Sequence, residues 1–210
     1  MRKNKLVLAA VIAVFFAIHA GADIIDTLIS PQPMALSSMP MHEFNVKIGF
    51  DFEGRFGADG YTGSAGTEKL SAANNVSFAV EYIKYFNQYV GAGTGVSAQI
   101  PRGLDELPGQ FGFAPFYVSV KVRSWPQEPG LYGYVLGQIG YNLFYADSGF
   151  EKNFVPEKGG FYYGIGLGFV YDVFLFEGMF SVNSGKAKDS ANNRINIDYD
   201  KFTVSVGYKF

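Results

Sequence analysis

From residue 43 onward, large apolar residues fall on alternate positions. In the first such stretch Phe44, Val46, Ile48, Phe50 and Phe52 share one parity, and Asn45, Lys47, Gly49, Asp51, Glu53 and Arg55 share the other. Successive side chains of a strand point to opposite faces, so this is the pattern of a strand with one greasy and one polar face. The same period recurs. Phe116, Val118, Val120 and Val122 oppose Tyr117, Ser119, Lys121 and Arg123, and Phe161, Tyr163, Ile165, Leu167, Phe169 and Tyr171 oppose Gly164, Gly166 and Gly168. In a seventh segment Phe174, Phe176, Phe180 and Val182 oppose Glu177, Ser181 and Asn183. Read throughout, the period predicts about eight strands, at 43–56, 73–86, 88–101, 111–123, 131–146, 159–171, 173–184 and 198–210.

The connections alternate in length as well. Asn87-Gln88, Ser124–Gly130 and Asp172 are tight or turn-like, whereas 57–72, 102–110, 147–158 and 185–197 are longer and polar. A soluble sandwich would turn its polar face outward. Here the charges keep to one parity while the apolar parity is unusually aromatic, which predicts the reverse arrangement, with lipid outside and a polar lumen inside. A sheet that spans a bilayer must pair every backbone group and therefore close, so the expected fold is all-β: a closed antiparallel up-and-down transmembrane β-barrel of about eight strands.

Composition agrees with this reading. The chain has 21 Phe, 14 Tyr and 26 Gly, no Cys, and 48% hydrophobic residues. Past the amino terminus no apolar run is long enough for a spanning helix. At that terminus Arg2, Lys3 and Lys5 precede the apolar run Leu6–Ile18 and the small residues Ala20-Gly21-Ala22, the layout of a secretory signal peptide with cleavage before Asp23. Its removal takes the net charge from −2 to −5. An acidic mature chain argues against a nucleic-acid partner. The expected organisation is thus a signal peptide (1–22), a proline- and methionine-containing periplasmic extension (23–42) and the barrel (43–210). Within the extension, Ile24, Ile25, Leu28 and Ile29 have helical spacing and could pack on the barrel rim or enter its mouth.

The last strand carries the most specific signal. Phe202, Val204, Val206, Tyr208 and Phe210 form one apolar face that ends on a carboxy-terminal aromatic residue. This resembles the final strand of bacterial outer-membrane barrels, which the barrel-assembly machinery reads during insertion. With it, residues 43–210 resemble the small barrels typified by the OmpA transmembrane domain, OmpX, OmpW and the opacity-type proteins. The resemblance implies export by the Sec pathway to the outer membrane of a Gram-negative bacterium, and contact with outer-membrane lipid and lipopolysaccharide. It also implies both termini in the periplasm, a monomer, and loops able to meet a surface ligand or host cell.

Within the lumen the inward parity collects Lys47, Asp51, Glu53, Arg55, Glu81, Lys121, Arg123, Glu177 and Lys209. Eight strands leave a bore just wide enough for side chains to fill, so these nearly balanced charges are expected to pair. Gly91, Gly93 and Gly95, and Gly164, Gly166 and Gly168, point inward and leave room for bulky residues such as Tyr117, Tyr132, Tyr134 and Tyr162, or for an open channel. Phe86, Tyr89, Trp125, Tyr171, Phe174 and Phe210 are candidates for an interfacial girdle. Tyr61, Leu104, Leu107, Phe150 and Phe154 are the apolar candidates for exposure in the loops.

Chemistry is sparse. Of two histidines His19 leaves with the signal, and His42 sits before the first strand, away from the outer leaflet where lipid-modifying barrels act. No catalytic residue, cofactor or metal site is expected. The reading is a non-enzymatic scaffold for surface loops with a lumen largely plugged by charged and aromatic side chains; the alternative is a narrow pore or an OmpW-like channel for small or apolar solutes.

Overall fold

The computed structural model describes residues 41–58, 69–105, 107–124, 130–189 and 192–210. The expected signal peptide, nearly all of the expected extension, Trp125 and Tyr61 lie outside them. So do the side chains of Glu53 and Leu107.

The described strands are β1 (His42–Ala58), β2 (Lys69–Ala72), β3 (Asn75–Tyr85), β4 (Val90–Gln99), β5 (Arg102–Leu104), β6 (Leu107–Arg123), β7 (Leu131–Ala146), β8 (Phe154–Tyr171), β9 (Phe174–Asp189) and β10 (Arg194–Lys209). They form one antiparallel sheet, and its two ends meet. β1 pairs with β10 from Asn45↔Lys209 to Ala58↔Ile197, so the ring is closed. Closure leaves no edge strand to satisfy elsewhere.

Eight strands surround the axis at every level. β1 pairs first with β3 and then, above Asp51, with β2, which continues β3 past a break at Ala73-Asn74. β5 likewise continues β4 past Ile100-Pro101, where proline has no N–H for the ladder. Backbone bonds from Ala73 N–H to the Gly103 carbonyl and from Asp105 N–H to the Ser71 carbonyl close the gap. The tight end of the barrel carries the connection 86–89, the β6 and β7 ends at Ser124 and Gly130, and the connection 172–173. At the first, Asn87 Oδ1 accepts from the N–H groups of Tyr89 and Val90, each at 2.8 Å. At the last, Asp172 takes φ +56°, a left-handed conformation that aspartate tolerates better than most residues.

The outside carries an apolar band confined to the tight-end part of the strands. On β8 it runs from Phe161 to Tyr171 and on β10 from Phe202 to Phe210, with alternate residues exposed. Those spans match the roughly 9–11 residues a tilted strand needs to cross a bilayer. Phe86, Tyr89, Tyr171, Phe174 and Phe210 are exposed at its lower margin. Strands of 16–18 residues such as β8, β9 and β10 therefore project beyond the lipid zone at the loop end.

In that projecting part the barrel turns inside out. Phe56, Leu70, Leu104, Phe111, Phe113, Phe150, Phe154, Ile197 and Tyr199 are buried together in the interior, while Arg55, Lys158, Lys186 and Arg194 face out. A β-bulge makes the switch on β1: the chain takes three steps from Phe52 to Arg55 where its partner takes two, from Phe202 to Asp200. One extra residue reverses parity. Asp51 points in below the bulge, and Phe56 points in above it.

Candidate functional site

The lumen holds three tiers of ionic side chains with an aromatic tier above them. At the tight end Glu43, on the first turn of inward positions of β1, is wholly buried. It accepts from Lys121 Nζ at 2.8 Å, from Arg123 Nη1 at 3.3 Å and, in a very short bond, from the Tyr132 hydroxyl. The Arg123 guanidinium lies over the Tyr85 ring, 3.6 Å from its centroid, and its Nε donates to the Gln88 carbonyl in the β3–β4 turn. Lys121 lies over Tyr134 at 4.0 Å, and Lys209, half-buried at the mouth, over Tyr132 at 5.2 Å. Rings stacked on these cations replace part of the hydration they give up.

The middle tier inverts the charge pattern, with one cation between two acids. Lys47 Nζ bridges Glu81 at 2.9 Å and Glu177 at 2.8 Å, and all three groups are almost completely buried. Glu81 also accepts from the Tyr117 hydroxyl and Gln138 Nε2, and Gln138 Oε1 in turn accepts from Tyr162. Glu177 accepts from Tyr134. Two close approaches make this possible. A Cβ on Gly95 would fall 2.6 Å from the Tyr117 ring, and one on Gly168 would fall 2.5 Å from the Tyr134 hydroxyl.

In the upper tier Asp51 receives Arg102 Nη2 at 2.6 Å, Lys201 Nζ at 2.7 Å, Thr203 Oγ1 at 2.7 Å and Ser77 Oγ at 3.1 Å. Each oxygen of the buried carboxylate is thereby engaged, the condition under which a buried charge is tolerated. Arg102 also reaches the Tyr199 hydroxyl, which joins the ionic tiers to the aromatic one. There Phe111 is fully buried, with the rings of Phe56, Phe150 and Tyr199 at centroid distances of 5.0, 5.5 and 5.3 Å.

Phe150 arrives from the β7–β8 loop on a short 3₁₀ turn, Phe150–Lys152. Asp147 Oδ1 holds that turn, accepting from the N–H groups of Phe150 at 2.9 Å and Gln110 at 3.0 Å. Those donors hold the Asp147 carboxyl below its ordinary value.

Of the residues singled out by inward parity, Lys47, Asp51, Glu81, Lys121, Arg123 and Glu177 lie in the lumen in ion pairs. Lys209 stands at the mouth. Arg55 departs from expectation: above the bulge it faces out and pairs with Asp200 at 2.6 Å, beside Lys69. Three lumen ions escaped the sequence reading. Glu43 and Lys201 lie inside the expected strands 43–56 and 198–210 and share the inward parity of Lys47 and Lys209, so alternation alone could have found them. Arg102 sits on β5, in a stretch read as loop because Pro101 interrupts the pattern.

The loop candidates Leu104, Phe150 and Phe154 are buried in the aromatic tier rather than exposed. His42 pairs with the Tyr82 hydroxyl at 2.6 Å. Phe202, Val204, Val206, Tyr208 and Phe210 all face out. Beside the middle and upper tiers is a cavity of about 30 Å³ lined by Ser77, Gln99, Tyr117, Lys201 and Thr203 among others, room for a water or two. Among the described residues no group of His, Cys, Asp and Glu is arranged to hold a metal.

No protein-family model matches this chain, and no curated protein matches it. Among solved structures it is similar to Ail, the attachment invasion locus protein of Yersinia pestis, at 19% identity over 81% of this chain and 100% of that one, with a TM-score of 0.48. Ail has also been solved in complex with the heparin analogue sucrose octasulfate. Two further likenesses are the outer membrane protein OprG of Pseudomonas aeruginosa (15% identity, 80% and 95% coverage, TM-score 0.46) and Neisserial surface protein A (17%, 80% and 97%, 0.47). The closed ring of this chain and its apolar band stand on their own strand pairing and exposure.

Proposed function

We propose that this chain is a non-enzymatic outer-membrane barrel that displays surface loops on a membrane scaffold whose bore is closed to ions and solutes. The observation that carries the reading is the Lys47–Glu81–Glu177 tier: a cation fixed between two carboxylates at mid-barrel, with tyrosines and Gln138 filling the remaining width. A conducting pore needs mobile water at its narrowest level. Here the polar groups are directed at one another. The tight end faces the periplasm, the projecting end lies outside the cell, and the chain acts as a monomer.

Residues 1–22 direct export through the Sec pathway and are then removed, and the outward face ending at Phe210 is the assembly signal. Residues 23–42 are a periplasmic extension. Surrounding lipid and lipopolysaccharide are the standing partners, with a surface ligand or host contact at the loops.

The cavity beside Ser77 and Gln99 favours a second reading, a narrow water-filled path for small solutes. Uptake by proteoliposomes separates the two. Refolded protein should admit glycine and arabinose no faster than protein-free vesicles. Uptake well above that background, abolished by a bulky substitution such as Ser77→Phe, would establish the channel.

A further inference from the structure

The outer wall of β8, β9 and β10 just above the apolar band carries an arrangement that the scaffold reading leaves unused. Lys158 of β8 stands directly opposite Lys186 of β9, and Lys188 of β9 directly opposite Arg194 of β10. Like charges in opposed positions destabilise a sheet unless something of the other sign lies between them. The nearby carboxylate of Glu157 takes Arg194 in a two-pronged pair at 2.8 and 2.9 Å and also feels the charges of Lys188 and Lys158, one acid among four cations. Asp198, diagonal to Lys186 on β10, is exposed and forms no ion pair among the described residues, nor do Lys158, Lys186 and Lys188. Three lysines on β8 and β9 thus stand together with Arg194 of β10, four cations with two nearby acids, Glu157 and Asp198, to offset them.

Their height matters as much as their charge. The lysines lie on the loop side of Phe161, Phe180 and Phe202, the topmost exposed aromatic residues of the band on these strands. Acyl chains running along that band would bring a lipid's headgroup to the lysines. The adjoining wall offers no such match: the described outward residues of β7 and β6 at the loop end include no lysine or arginine.

Resting on the outer-membrane reading above, we infer that this wall binds the phosphorylated headgroup of an outer-leaflet lipid. The lysines take the phosphate oxygens, and the ring of Phe161 and its neighbours take the first acyl carbons. The low-dielectric surface below strengthens the attraction relative to water.

The test uses the refolded mature protein and a Lys158→Gln/Lys186→Gln/Lys188→Gln variant, both confirmed as folded barrels by a heat-dependent gel shift. Native mass spectrometry titrates each with diphosphorylated lipid A, with the same glycolipid stripped of phosphate, and with inorganic phosphate. The expected result is lipid A adducts on the wild type, weakened about a hundredfold in the triple variant, on the scale known for basic residues at anionic membrane surfaces. The stripped lipid should bind no better to the wild type than to the variant. Equal lipid A binding by both proteins, or equal binding of the stripped and phosphorylated lipids, would overturn the inference. Inorganic phosphate displacing lipid A at matched concentration would replace a lipid site with a free-anion site and overturn it as well. A chain that never gives the gel shift would instead defeat the outer-membrane reading on which the inference rests.

Discussion

Each buried carboxylate of the lumen has several partners, so single substitutions separate charge from shape. Glu43→Gln keeps the volume of Glu43 but leaves Lys121 and Arg123 without their carboxylate. Breaking a buried pair from one side typically removes about 3–5 kcal/mol. Urea unfolding from lipid vesicles should show a loss of that size, and a loss below 1 kcal/mol would mean that water reaches the tier. Gly95→Ala is expected to act through geometry, displacing the Tyr117 ring and with it the bond to Glu81, at a cost of about 1–3 kcal/mol. The same substitution at Gly137, where an added Cβ would meet nothing within 4 Å, should change the midpoint little. Residue parity made most of these positions legible in advance: Lys47, Glu81, Lys121 and Glu177 follow from alternation alone. What parity cannot report is which inward residues meet across the bore. It also cannot anticipate a bulge, and Arg55 was misread for that reason.

Among the elements, the β7–β8 connection shows how a polar loop serves an apolar interior. Asp147 fastens the 3₁₀ turn that delivers Phe150 into the aromatic tier. Its folded-state pKa lies below the ordinary aspartate value of 3.8, so the anchor contributes fully above that value and is lost as pH falls through the lower, folded pKa. Amide exchange across residues 147–153, corrected for intrinsic rates, should be slow at neutral pH and rise toward strongly acidic pH. In Asp147→Ala it should be fast at both. Slow exchange in that variant would show that the Phe150 ring, and not the carboxylate, holds the loop. From sequence this segment read as a solvated turn with exposed Phe150 and Phe154, because loops are polar by composition whatever their few apolar residues do. The extra length of β6, β8, β9 and β10 was hidden similarly: past the lipid zone the outward positions become polar and the contrast that marks a strand fades.

For the molecule as a whole, one closed sheet has two opposite radial polarities along its axis, a polar bore within an apolar band and then an aromatic interior within a charged exterior. The second part resembles the core of a soluble barrel and should contribute to stability as one. Phe111→Ala removes a fully buried ring from its centre and should destabilise by about 3–5 kcal/mol, measured as a shift of the unfolding midpoint in vesicles. Unless the ionic tiers also move, it should not open the bore, since those tiers lie below it. Single-channel recording across planar bilayers, on protein whose heat-dependent gel shift shows it folded, tests this most directly. The tiers predict a flat current at moderate voltage from the wild type and from Phe111→Ala alike. Discrete, reproducible steps from the wild type that change in size with Glu81→Gln or Glu177→Gln would mean that the Lys47 tier lines an open pore, and would contradict the closed lumen.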